Sequence, residues 1–73
     1  MTDIEKRCNY ILHSLGNLKL TTSLIVQMVN HKYKTSYDIA QILNALKRLQ
    51  RDGQVKINEA LSSGTHTTWE LVK

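Results

Sequence analysis

The chain has 73 residues, a net charge of +4 and a single cysteine. That length holds one small domain, residues 1–73, and the lone Cys8 excludes an intrachain disulfide as its staple, as expected of a protein from a reducing compartment. No apolar run nears the ~20 residues needed to cross a bilayer, and the first residues are polar and charged, so a soluble, cytoplasmic protein without membrane contact is expected.

Thr2 followed by Glu5 has the spacing of a capping box, and Ile4, Cys8, Ile11, Leu12 and Leu15 recur at three- and four-residue steps. They predict a first helix over about 3–15, with Gly16 where a left-handed C-cap belongs. Leu18, Lys19 and Leu20 alternate as a very short strand does, and Thr21 or Thr22 is placed to cap a second helix. Leu24, Ile25, Met28 and Val29 form the apolar stripe of that helix, which ends near 31–34. Thr35 or Ser36 is the next capping candidate, with Asp38 in the first turn, where the helix dipole favours a carboxylate. The third helix is predicted from Tyr37 to Asp52, or 36–52 with its cap, and stops at Gly53.

After Gly53 the period changes to two. Val55 and Ile57 alternate with Gln54, Lys56 and Asn58; Ser62-Ser63-Gly64-Thr65 marks a turn; Trp69 and Leu71 alternate with Thr68 and Glu70. This reads as a two-stranded hairpin, whose apolar face must pack on helices because a lone hairpin is barely stable. The expected fold class is α+β, mainly α: three helices and a C-terminal two-stranded hairpin, with a short strand between the first two helices.

The run Leu43-Asn44-Ala45-Leu46-Lys47-Arg48-Leu49-Gln50-Arg51-Asp52-Gly53-Gln54-Val55, together with the Trp69-Glu70-Leu71 close, resembles the winged helix-turn-helix family over nearly the whole chain. It is similar to the end of a recognition helix, its glycine stop and the strands of the wing. The resemblance implies a DNA-binding domain whose third helix enters the major groove. The Z-DNA-binding branch departs from this sequence: it carries an Asn and a Tyr where alignment on Gly53 puts Leu43 and Lys47, and prolines before the Trp where this chain has none.

Charge location agrees with a polyanionic partner. From His31 to Lys56 six basic residues (Lys32, Lys34, Lys47, Arg48, Arg51, Lys56) face two acids, Asp38 and Asp52, while the remaining charges balance. At about 100 degrees per residue, Ile39, Ile42, Leu43, Leu46 and Leu49 cluster as the core side of the third helix, and Tyr37, Gln41, Asn44, Arg48 and Arg51 fall opposite. Asn and Gln pair with adenine, Arg with guanine or phosphate, and Tyr with phosphate or a thymine methyl. Tyr37, Gln41 and Asn44 are therefore expected at bases and Arg48 and Arg51 mainly at phosphates, with Lys34, Thr35 and Ser36 of the preceding turn and Lys56 of the wing on the backbone. Thr65 and His66 add weaker wing candidates without an arginine at the tip.

The histidines at 13, 31 and 66 lack the short spacing of a zinc site, and no phosphate loop, nucleophile elbow or carboxylate pair is present. No catalytic residue, metal or cofactor is expected, and an enzyme is the first reading rejected. Two functions remain: a small regulator of transcription that binds double-stranded DNA, and a winged-helix interaction module, adaptor or inhibitor, that offers the same basic face to an acidic protein. Self-association is open, and would have to use the first helix or the wing edge.

Overall fold

Thr2 and Glu5 form the expected capping box at the head of α1 (Asp3–Ser14) in the computed structural model, which describes residues 2–15, 19–62 and 67–72. The expectations placed on Gly16, Leu18, Ser63, Gly64, Thr65 and His66 lie outside the described residues. Glu5 N–H donates to Thr2 Oγ1 and Thr2 N–H to Glu5 Oε2, each at 3.3 Å, so two amides that a helix start leaves free are satisfied reciprocally. The strand expected at 18–20 is found as β1 (Leu20–Thr21), and Thr21 caps α2 (Thr22–Tyr33) by accepting from Leu24 N–H at 3.3 Å.

The third helix starts later than its sequence suggests. α3 is Ile39–Arg51, and neither Thr35 nor Ser36 caps it. Asn30 holds 35–37 in a non-helical turn: its Oδ1 accepts from Thr35 Oγ1 and Tyr37 N–H, and its Nδ2 donates to Tyr37 O, all at 2.9 Å. Lys34 enters this turn in the left-handed conformation, φ 54°. Asp38 is thus the N-cap rather than a first-turn residue, and it builds a second capping box with Gln41. At the other end Gly53, φ +79°, donates to Gln50 O at 3.0 Å and Gln54 N–H donates to Leu49 O at 2.9 Å, a Schellman closure.

β2 (Val55–Ile57) and β3 (Thr68–Leu71) form the expected antiparallel hairpin, with Lys56 opposite Glu70 and Ile57 opposite Trp69. The sheet has three strands rather than two, in the order β1-β3-β2, because β1 pairs with the free edge of β3 through Leu20–Trp69 and Thr21–Thr68. An unpaired strand edge leaves backbone donors and acceptors open, and two residues of β1 close part of it. Three helices and a three-stranded antiparallel sheet make an α+β fold, mainly helical.

One apolar cluster unites these elements: Cys8, Ile11 and Leu12 of α1, Leu20, Ile25 and Val29, then Ile42, Ala45, Leu46 and Leu49 of α3, Val55 and Trp69. Ile4, Leu15, Met28, Leu43, Ile57 and Leu71 pack against it partly buried, and two expected core residues are exposed instead. Ile39 is 52% exposed, because the late start makes it the first residue of α3, and Ala45 takes a core place instead. Leu24 is 41% exposed because the buried side of α2 centres on Thr22, Ile25 and Val29. Among the described residues no helix is long and apolar enough to cross a membrane.

Candidate nucleic-acid interface

α3 buries Ile42, Ala45, Leu46 and Leu49, so the residues half a turn away stand farthest from the core. Those are Ala40, Asn44, Lys47 and Arg51, and all four are exposed. Their spacing of four, three and four residues makes one continuous strip along the helix. Relative to the side drawn from sequence, the exposed face is turned by roughly 45 degrees, because Ala45 is inside and Ile39 is not. Lys47 is the residue that sequence reading missed. Its signal was available in the small Ala45, which lets α3 approach its neighbours on a side that hydrophobicity ranking alone overlooks.

Sequence-expected residues separate into two groups. Asn44 and Arg51 lie on the strip, and Lys34 and Ser36 are exposed in the turn before α3. The others have internal partners. Gln41 is exposed, but its Oε1 accepts from Asp38 N–H at 3.0 Å in the cap. Thr35 is half-buried and its hydroxyl donates to Asn30. Tyr37 precedes the helix instead of standing on it, packs against the core, and accepts from Arg7 Nη1 through its hydroxyl at 2.8 Å. Arg48 flanks the strip on the side of α1, where Nη1 lies 3.5 Å from Oε1 of the buried Glu5. Lys56 is exposed on β2 and pairs with Glu70 at 3.7 Å. Strand alternation puts both on the sheet face opposite Val55, Ile57 and Trp69, away from α3.

The three tyrosines gather around two cations beside the turn. The Arg7 guanidinium lies 4.7 Å from the Tyr33 ring centre and 6.0 Å from that of Tyr37, and Lys32 Nζ lies 5.0 Å from Tyr10 and 5.9 Å from Tyr33. Such contacts fix cations against aromatic faces and tie α1, the end of α2 and the turn together.

Charge on α3 is confined to its carboxyl half: Lys47, Arg48 and Arg51, with Arg48 and Arg51 in the last turn, where the helix dipole favours cations. The Cys8 thiol behind this face is pushed up to about 12 by burial, with the Glu5 carboxylate adding to the shift, which leaves it protonated at neutral pH. Among the described residues no three His, Cys, Asp or Glu side chains gather as a metal site. In comparisons with known proteins, the chain matches no family model and no curated protein.

Proposed function

We propose that the chain is a winged-helix DNA-binding domain that places α3 in the major groove of duplex DNA and regulates transcription in the cytoplasm. It acts by occupying an operator or by assisting another protein on DNA. The observation that carries this reading is the Ala40-Asn44-Lys47-Arg51 strip, exposed along a helix that is capped at both ends and backed by the core. A rigid helix that offers short uncharged side chains first and cations last suits groove entry, with its amino-terminal part toward base edges. Asn44 is the base reader, and Lys47 and Arg51 hold phosphates with Lys34 and Ser36 of the turn. Arg48 contributes charge from the flank while it neutralises Glu5. The helix-strand-helix-helix-strand-strand order supports the winged-helix assignment, with the β2–β3 hairpin as the wing.

Titration of labelled duplex at several salt concentrations tests this. Affinity is expected to fall with a log-log slope of about −0.9 per phosphate neutralised. Lys47→Ala or Arg51→Ala should weaken binding to every sequence and make the slope shallower by roughly one. A flat salt response or no binding would favour the second reading, a protein-interaction module. The shallow apolar groove on α2 lined by Leu24, Val26 and Met28 is the feature that speaks for it.

A further inference from the structure

We infer that the duplex this chain selects turns thymine methyl groups toward the amino-terminal half of α3, so that the helix reads A·T pairs rather than G·C pairs. The inference rests on the DNA-binding reading and specifies its substrate class. It starts from the uneven chemistry of one exposed face. Ala40 stands on it in the first turn of α3, Asn44 follows one turn later, and the first cation of the helix is Lys47.

In the major groove a guanine offers two acceptors, O6 and N7, and the side chains that match both are Arg and Lys. α3 has neither in its first eight residues, Ile39 to Leu46. Lys34, the nearest cation before it, lies at the end of α2, across the turn that Asn30 holds. Adenine offers an acceptor and a donor side by side, which an amide matches with its own donor and acceptor. Of the two amides on this half, Gln41 has committed its oxygen to Asp38 N–H, whereas the exposed Asn44 has no such bond among the described residues. An adenine opposite Asn44 brings its paired thymine with it, and the thymine C5 methyl is the one apolar group on a major-groove edge. Ala40, one turn before Asn44 on the same strip, is the apolar side chain placed to cover it.

The occupant is a nucleic acid rather than an acidic protein surface because the same strip continues into Lys47 and Arg51, a uniform positive end that a phosphate chain complements along its length. An aliphatic side chain left in water at the head of such a helix gains by meeting a methyl. Removing one contacted methyl is expected to weaken binding about fourfold, the effect of losing one buried carbon.

The test is selection from random duplexes, followed by titration of the selected duplex with thymine replaced by uracil, which deletes only the C5 methyl. The parent is expected to select an A·T-rich motif and to bind the uracil duplex about fourfold more weakly per contacted methyl. Ala40→Ser, at an exposed position, should keep the parent's melting temperature and discriminate less between the two duplexes. Equal affinity of the parent for both duplexes, a G·C motif, or salt-dependent binding with no motif would each overturn the inference and leave DNA binding standing. Absence of any duplex binding at low salt would overturn both.

Discussion

A carboxylate at an apolar helix interface has to be given partners, and Glu5 has them on two sides. Its side chain is only 5% exposed, with Oε2 accepting from Thr2 N–H at 3.3 Å and Oε1 facing Arg48 Nη1 at 3.5 Å. Arg48 is 54% exposed, so the pair is half in water and its net contribution is modest. One helical turn on, the Cys8 thiol feels both the burial and the charge of Glu5. Its pKa rises from the ordinary 9.0 to about 12. Between those values the folded chain keeps a proton that the unfolded chain has released, so folding stability falls as pH rises. The contribution is complete below pH 9.0 and lost as pH climbs toward about 12. Urea unfolding of the parent and of Cys8→Ala checks this: the gap between them should narrow by about 1 kcal/mol from about pH 8 to about pH 10. A constant gap would show that the thiol titrates normally in the folded chain.

At the scale of the element, α3 depends on its two ends as much as on its buried side. The Asp38–Gln41 box sets where it starts, and Gly53 sets where it stops. Gly53 has φ +79°, a left-handed conformation that costs an L side chain about 1 kcal/mol. A Cβ built at Gly53 meets nothing within 4 Å, so no clash adds to that cost. Gly53→Ala should therefore destabilise by about 1 kcal/mol and Gly53→Asn by less, since Asn tolerates this conformation. Thermal unfolding of the two variants measures it. A loss several times larger for Ala would mean that the turn into β2 cannot keep its path.

Across the whole molecule, Trp69 ties the sheet to the helices. It sits fully buried on the central strand β3, between Leu20 of β1 and Ile57 of β2, and its Nε1–H donates to Thr22 Oγ1 at 2.8 Å. Thr22 in turn donates through its backbone N–H and hydroxyl to Thr67 O, at 3.0 and 3.3 Å. One side chain thus joins three strands to the start of α2. Trp69→Ala should cost about 3–5 kcal/mol, a large share of the stability of a domain this small. Trp69→Phe keeps most of the apolar volume but loses the hydrogen bond, and should cost about 1–3 kcal/mol. Denaturant unfolding separates the two losses, and equal stability of Trp69→Phe and the parent would show that the indole N–H contributes nothing.

The sequence by itself determined the helices, the hairpin and most of their ends, because a cap or a period depends on residues within about four positions of each other. The Thr2–Glu5 box and the stop at Gly53 were legible in this way, and so was the amphipathic character of α3. The Asp38 cap was missed by two residues because Asn30, a turn and a half-loop away, competes for the same segment. Only the tertiary structure decided that β1 pairs with β3 and that Arg48 turns to Glu5, and only it drew Tyr37 to Arg7 and set Lys56 on the far side of the sheet. It also brought Lys47 onto the exposed strip. The reason is geometric: a rotation of α3 about its axis by a few tens of degrees leaves every local signal unchanged, yet it exchanges the residues that face a neighbour for those that face water.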